Sequence, residues 1–496
     1  MIVAVIARRE PADIRAALEA LSREPGLRQG LLAEVRLDAM AVPDGDVVRG
    51  ASVPVLATCR RPIDGGSFRG PESARFDLLR AAAAAGAAYI DIERDAAAAF
   101  GRPPAPTKLV VSHHDFDGLV PDVRGLVRGL LSLGGDVVKL AARLRCALDV
   151  MTLSRATGEA PGRVVAFGLG SAGLVTRLLP ERFGSPWTYA RYSVEPNAAL
   201  PAELPTFRDV VDLYAVRPGG PAPEAAYAVL GDRAEQSVGP AAWNRVFRDR
   251  GVPARYVPFS TSSTTGVREV CRLLGIRGLS VTTPHKVAAL ALADEIHPRA
   301  REVGAANTLV NEGGVWTAYN TDVDGFARPI RAACAETGRS AHGASAVVVG
   351  LGGAGFAAAS ALRAEGFRTT LVSRRSESVG TSPLGPGVTV LAPADVPRAA
   401  ADVVVNATPA GSVRDPAGRA VDLGWAKAGA VVFETNYRPR ATPLTIAARA
   451  AGFRVLDGVD LYVAQAIAQL RLFRTDCDDA EGALRTAVEH ALVPGA

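Results

Sequence analysis

Lys139 stands inside an apolar run, Val137-Val-Lys-Leu-Ala141. Holding a charge in such surroundings is costly, which favours the neutral amine. A neutral amine attacks a ketone to form a Schiff base, and the protonated imine acidifies the neighbouring C–H. His114, in the preceding apolar run, is the kind of group that takes that proton and returns it to a leaving hydroxyl. The sum of these steps is a β-elimination of water. Arg177 suits bidentate capture of a carboxylate, and Glu34, Arg36 and Arg60 suit the fixing of hydroxyls.

A second pattern pairs Lys286, closing Val281-Thr-Thr-Pro-His-Lys286, with Asp322, closing Tyr319-Asn-Thr-Asp322. A Lys/Asp pair can pass a proton to a carbonyl oxygen while hydride arrives on carbon. A third is glycine-rich: Ala346-Val-Val-Val-Gly-Leu-Gly-Gly-Ala-Gly355, which carries Gly350, Gly352, Gly353, Ala354 and Gly355. Glycines there allow a tight turn and close backbone approach, and a following helix end attracts a pyrophosphate. The next strand, Phe367–Val372, ends in Ser373-Arg374-Arg375 and not in an acid. Arginines at that place suit the 2′-phosphate of NADP, where Asp or Glu would suit NAD. Each feature alone has a plainer explanation: a strand lysine at the surface, a structural histidine, a common glycine turn, solvated arginines. Their joint placement on predicted elements carries the weight.

Eight short apolar runs alternate with Ala/Leu/Arg helices over residues 1–216: Ile2–Ala7, Leu32–Leu37, Pro54–Thr58, Ala88–Ile92, Lys108–Ser112, Asp136–Ala141, Arg163–Phe167 and Trp187–Ala190. Eight β-α units of this size predict a (β/α)8 TIM barrel, whose catalytic groups gather at the carboxyl ends of the strands. Glu34, Arg36, Arg60, Glu93, His114, Lys139 and Arg177 all fall at or near those ends. Residues 217–224, Arg-Pro-Gly-Gly-Pro-Ala-Pro-Glu, read as a linker. From Tyr227 an α/β pattern resumes, and a glycine-rich βαβ unit begins at Ser345. The expected division is 225–324 as a substrate domain, 325–457 as a Rossmann domain, and 458–496 as helices packing back on the former.

The chain of 496 residues, with 48% hydrophobic and 22% charged residues, is long enough for about three globular domains. Its five scattered cysteines include no CxxC pair, which fits a reducing cytoplasm and argues against zinc ribbons. No metal is implied. The net charge of +5 comes without dense Lys/Arg blocks, so nucleic-acid binding has no support and anionic small substrates fit. The opening Met-Ile-Val-Ala-Val-Ile reads as a first strand and not as a signal peptide. Gly343–Leu362 is uncharged, but its glycines mark strand, turn and helix, not a membrane span. The sequence does not set the oligomeric state.

The segments Glu34-Val-Arg-Leu-Asp38, Thr58-Cys-Arg60, Asp91-Ile-Glu93, Ser112-His-His-Asp-Phe116, Lys139-Leu-Ala and Phe183-Gly-Ser185 resemble type I dehydroquinate dehydratases. The resemblance implies that Lys139 forms the imine with 3-dehydroquinate, that His114 is the acid/base, and that Glu93 supports the histidine. It departs in the late loop, where Ala199-Leu-Pro-Ala-Glu203 stands in place of a Ser-Ala-Pro-Gly-Gln pattern. Thr176-Arg177 replaces the usual Ser-Arg.

Residues 225–480 resemble NADP-dependent shikimate dehydrogenases through Tyr227-Ala-Val-Leu-Gly231, Thr282-Thr-Pro-His-Lys286, Gly304-Ala-Ala-Asn-Thr308, Asn320-Thr-Asp322, Asn406-Ala-Thr-Pro409, Tyr437-Arg-Pro and Gly458…Gln465. This implies reduction of 3-dehydroshikimate to shikimate by Lys286 and Asp322. Ser237, Thr282, Asn307, Tyr437 and Gln465 would hold the substrate, and Thr408 would lie beside the nicotinamide. The departure is Gln236-Ser-Val-Gly239, with Gly239 where the family carries a second serine. Lost hydroxyl and added space there raise quinate oxidation as an alternative. Two others stay open: an aldolase-like lyase in the barrel, and a barrel kept only for binding.

Overall fold

The computed structural model describes residues 1–27, 30–193, 200–201, 203–217, 220–374, 388–475, 477 and 479–493. The chain divides into two compact units. The first joins residues 1–226 with 232–237 and 254–276; the second joins 227–231 and 238–253 with 277–496.

In the first unit, eight strands form one sheet: β1 (Ile2–Ile6), β2 (Leu31–Arg36), β3 (Val55–Thr58), β4 (Tyr89–Glu93), β5 (Lys108–Asp115), β6 (Val137–Arg143), β7 (Val164–Leu169) and β8 (Thr188–Arg191). Their order is β7-β6-β5-β4-β3-β2-β1-β8. β1 pairs in parallel with both β2 and β8, which makes a nearly closed barrel. The eight runs expected from sequence are these strands, shifted by no more than three residues at their ends. The helices Pro11–Ser22, Glu72–Ala84 and Val123–Ser132 lie between them. After β2 the chain makes two 3-10 turns in place of a full helix. Gly45, in the second turn, lies so close to helix Glu72–Ala84 that a Cβ would meet the Leu78 carbonyl at 2.4 Å.

Period-two alternation sorts the strand residues into layers. Val3, Leu32, Leu56, Val110, Val137, Val165 and Trp187 form a buried apolar cluster that Tyr89 packs against. Two residues further along, the same faces carry Glu34, Thr58, Asp91, Ser112, Lys139 and Tyr189, with Arg36, Arg60, Glu93 and His114 next. The unit also includes β10 (Ala254–Ser260), reached after β9 (Ala225–Gly231). Its buried Arg255 donates to the Leu178 carbonyl at 2.7 Å and to Glu181 at 3.1 Å.

In the second unit, β9 is followed by β11 (Ile276–Val281), β12 (Glu295–Ile296), β13 (Thr308–Glu312) and β14 (Val315–Tyr319), side by side as β9-β11-β13-β14-β12. A six-stranded sheet follows, of β15 (Ser345–Val349), β16 (Arg368–Val372), β17 (Thr389–Leu391), β18 (Ala401–Asn406), β19 (Ala426–Glu434) and β20 (Arg454–Leu456). Its order, β17-β16-β15-β18-β19-β20, reverses between β15 and β18, and the pairs are parallel. That is the doubly wound pattern, which places ligands at the carboxyl ends beside the reversal. Helix Asp322–Glu336 packs on helix Gly458–Leu472 through Gly325, where a Cβ would meet Leu461 Cδ1 at 2.9 Å. No helix among the described residues is long and apolar enough to cross a membrane.

Candidate functional site

Lys139 is 2% exposed, and its surroundings correct the expectation of an apolar niche. Val138 and Leu140 point to the outer face of β6; the Lys139 side chain points inward. There its Nζ donates to Asp91 Oδ2 at 2.9 Å and to Glu34 Oε1 at 3.4 Å. The ammonium is paired, so it must hand on a proton before it attacks. Burial opposes ionisation of Asp91, but the charges of Lys139 and Arg60 outweigh it and hold the carboxyl below its ordinary value. Ser112 Oγ donates to Asp91 at 2.5 Å and Thr58 Oγ1 to Glu34 at 2.8 Å.

Arg60 lies 3.2 Å from Asp91, 3.6 Å from Glu93 and 3.7 Å from Glu34. Arg36 forms a two-pronged pair with Asp38 at 2.9 and 2.7 Å, and Asp38 also accepts from the backbone N–H groups of Arg60 and Ser67. Such bidentate pairs fix the guanidinium plane. Glu93 accepts from the fully buried Arg75 at 2.5 Å. Its other oxygen has no hydrogen-bond partner, and neither does His114 Nδ1. The structure therefore joins Glu93 to arginines and gives it no hydrogen bond to His114. Burial, then the positive charges of Arg60 and Lys139, hold His114 well below the usual histidine range, which makes it a neutral base. Arg177 follows β7, spends its Nε on the Gly168 carbonyl at 2.9 Å and leaves Nη1 unpartnered. Burial lowers it to about 10. Of the Ala199–Glu203 loop, Ala199 and Ala202 lie outside the described residues; Glu203 is 3.7 Å from Arg143.

In the second unit, Lys286 Nζ donates to Asp322 Oδ2 at 2.6 Å, and Asn307 Nδ2 donates to Asp322 Oδ1 at 2.8 Å. Both carboxylate oxygens are thus acceptors. Asn307 also donates to Gln465 Oε1 at 3.1 Å and accepts from the Thr321 N–H at 2.7 Å. The close helix approach at Gly325 is what brings Gln465 to Asn307. Thr282 is held by its backbone N–H on the Leu230 carbonyl at 2.9 Å. Burial pushes the Tyr437 phenol up. The side chains of Thr282 and Tyr437 make no hydrogen bond among the described residues. Ser237 closes a 3-10 turn in the first compact unit, and Gly239 begins the helix Gly239–Asp249 in the second.

The glycine-rich turn leaves β15 at Gly350, whose φ of +121° only glycine adopts readily, and where a Cβ would meet the Ala407 carbonyl at 2.8 Å. A Cβ at Gly355 would meet the Gly350 carbonyl at 2.0 Å, so the helix Gly353–Ala364 seats directly on the turn. At Gly352 a Cβ would meet nothing, and at Gly353 its nearest neighbour is Ala305 Cβ at 3.5 Å, so the turn keeps open space at the helix start. A cavity of about 1020 Å³ beside it is lined by Gly350, Ser373, Arg374, Thr408 and Arg419 among others. Thr408 Oγ1 donates to Asn406 Oδ1 at 2.7 Å. Of the glycine-rich residues Gly350 lines this cavity, with Arg374 beyond the end of β16, while Gly352 caps the helix that Gly353, Ala354 and Gly355 begin. Arg375 lies outside the described residues.

The model of the type I 3-dehydroquinase family matches residues 26–220, and that of the shikimate dehydrogenase substrate binding domain matches residues 229–309. A shikimate dehydrogenase (NADP(+)) of Syntrophobacter fumaroxidans is 36% identical over 248 residues, which span 49% of this chain and 85% of the relative. This chain belongs to the shikimate dehydrogenase family. It carries a type I 3-dehydroquinase domain ahead of it. The chloroplastic bifunctional 3-dehydroquinate dehydratase/shikimate dehydrogenase of Arabidopsis thaliana is 29% identical over 468 residues, 89% of this chain and 77% of the relative. Among solved structures, a shikimate 5-dehydrogenase from Thermus thermophilus with NADP(H) and shikimate is 27% identical, with a TM-score of 0.47 over 54% of this chain and 100% of that one. The dehydroquinate dehydratase and shikimate dehydrogenase of S. pombe spans 99% and 98% at 22% identity, with a TM-score of 0.44.

The sequence reading missed Asp91 as the partner of Lys139, although its period-two spacing from Glu93 puts both on one face. It also missed Asp38, Ser112 and Arg75. In the second unit it missed Gln469, which donates to Thr308 at 2.9 Å, and the buried Glu434, which binds Asn406 and Asn436 beneath Thr408.

Proposed function

We propose that the chain converts 3-dehydroquinate to 3-dehydroshikimate in its barrel and then reduces 3-dehydroshikimate to shikimate with NADPH. The observation that carries the first step is a buried lysine between two carboxylates, on a rim with a neutral histidine and a half-free arginine. Lys139 adds to the ketone and expels water to form the imine. His114 takes the proton from the adjacent carbon, and the β-hydroxyl leaves as water with that proton. Hydrolysis of the imine restores Lys139, so the net change is loss of one water. Arg177 holds the substrate carboxylate, while Glu34, Arg36 and Arg60 fix hydroxyls; Glu93 anchors Arg60.

For the second step, Gly350–Gly355 and Arg374 would hold NADPH, which would supply the hydride. Lys286 donates a proton to the substrate oxygen, and Asp322, held by Asn307, keeps the ammonium aimed. Thr282, Asn307, Tyr437 and Gln465 complete the substrate set, with Thr408 on the nicotinamide side. In this reading 225–324 binds the ring, 325–457 the dinucleotide, and 458–496 returns Gln465 to the ring site. Its setting in this reading is the reducing cytoplasm, which five scattered cysteines without a CxxC pair fit.

A coupled assay tests the reading: purified chain with 3-dehydroquinate and NADPH oxidises the nucleotide and yields shikimate, and NADH substitutes poorly. No oxidation from 3-dehydroquinate, with full activity from 3-dehydroshikimate, removes the first half of the proposal. Gly239 supports a second reading, quinate oxidation, because a glycine leaves room where the family's serine would stand. Steady-state comparison of quinate with shikimate decides it; no detectable quinate turnover ends it.

A further inference from the structure

Among the described residues, the first unit holds three unpartnered buried side-chain atoms that the proposed mechanism does not use: Arg182 Nε, Arg191 Nε and the hydroxyl of Tyr189. Arg60 Nε, Glu93 Oε1, His114 Nδ1 and Arg177 Nη1 belong to residues already assigned. Of the three that remain, the hydroxyl of Tyr189, a residue only 3% exposed, is the one whose ring lies against Lys139. A buried hydroxyl without a partner is a standing cost that phenylalanine would remove, unless the working state supplies the partner.

Tyr189 sits on the inner face of β8, in register with Val3 of β1. Its ring centroid is 4.4 Å from Lys139 Nζ and 4.9 Å from the ring of Phe167. The Arg177 guanidinium lies 4.1 Å from the Phe167 centroid. Lys139, Tyr189, Phe167 and Arg177 thus form a continuous floor. A ligand tethered to Lys139 through an imine and held at its carboxylate by Arg177 spans that floor. We infer that Tyr189 is a substrate-contact residue of the dehydratase: its ring faces the Lys139 nitrogen, and its hydroxyl hydrogen-bonds the ligand between imine and carboxylate. The ring face favours a cationic nitrogen, which is present in the ammonium and in the protonated imine alike. Burial, and then the nearby Glu34 and Asp91, hold the phenol well above its ordinary range, so the hydroxyl remains a donor. It offers a polar contact from the strand itself.

The inference rests on the dehydratase reading, and the test separates the two. Wild-type chain, Tyr189→Phe and Tyr189→Leu are treated with 3-dehydroquinate and borohydride, and the Lys139 adduct is read by mass spectrometry alongside steady-state kinetics and thermal unfolding. In wild type an adduct forms. Tyr189→Phe, which keeps the ring, melts no lower than wild type without ligand. Its KM for 3-dehydroquinate rises about tenfold, the loss of one hydrogen bond, while kcat stays within about threefold. Its adduct still forms at saturating substrate, and its thermal shift with substrate shrinks. Tyr189→Leu slows trapping further. A KM for Tyr189→Phe within twofold of wild type, with an undiminished ligand-induced shift, overturns the assignment of Tyr189. No adduct in wild type overturns the dehydratase reading itself.

Discussion

Asp91→Asn is the sharpest probe of the barrel's charge arrangement. The Asp91 carboxylate is wholly buried and accepts from Lys139 at 2.9 Å and Ser112 at 2.5 Å, with Arg60 at 3.2 Å. Asparagine keeps the shape and removes the charge, and its amide N–H group must face one of three donors. Breaking a buried ion pair by removing one partner costs about 3–5 kcal/mol. Glu34 remains 3.4 Å from Lys139, so the lower end, about 3 kcal/mol, applies. That is an increase of about 150-fold in the local opening equilibrium, at about 1.4 kcal/mol per factor of ten. The change is local to these strands, so the measurement is native-state hydrogen exchange on peptides covering β4 and β6. Protection falls there and stays unchanged in β15 and β18. Borohydride trapping at Lys139 falls, while NADPH-dependent turnover of 3-dehydroshikimate continues. A change in β4 and β6 below about 1 kcal/mol, with trapping intact, refutes the view that Asp91 holds Lys139.

Other outcomes follow from the same geometry. Because His114 is held well below its ordinary value of 6.5, dehydratase kcat/KM stays flat across neutral pH and declines only on an acid limb well below 6.5. An acid limb centred near or above 6.5 contradicts it. The linked stability has the same sign: the unfolded chain binds the proton first, so His114's contribution is complete above pH 6.5 and is lost as pH falls towards the folded value. His114→Asn should therefore flatten the acid side of a denaturation series. Lys286→Met and Asp322→Asn should each lower dehydrogenase kcat by about 10²–10⁴-fold, the usual worth of a positioned acid–base group, with NADPH affinity by fluorescence unchanged. A matching fall in NADPH affinity would place these residues in cofactor binding. Arg374→Ala should weaken NADP by about tenfold or more, the scale of a hydrogen bond to a charged group, and leave NAD nearly unaffected. Equal weakening of both by calorimetry removes Arg374 from 2′-phosphate recognition.

Local signals in the chain were enough for the elements and most of the chemistry. Period two fixed which residues of each barrel strand face inward, and the glycine spacing with Ser373-Arg374 announced a dinucleotide groove. These depend on backbone sterics and side-chain alternation, which act over a few residues. What Lys139 touches was decided elsewhere. Its neighbours along the chain are apolar, but they point outward or lie beneath it, while Glu34 and Asp91 come from strands 105 and 48 residues earlier. Glu93 was expected beside His114 and instead binds Arg75, a helix residue with no motif around it. Likewise Gln465 meets Asn307 only because Gly325 lets two helices close together. A charged side chain takes its partners from whatever strand closure and helix packing bring within about 3 Å, because hydrogen bonds fail beyond that range. Spacing in the sequence reports which face a residue occupies; only the closed barrel and the packed helices set which charges meet across it.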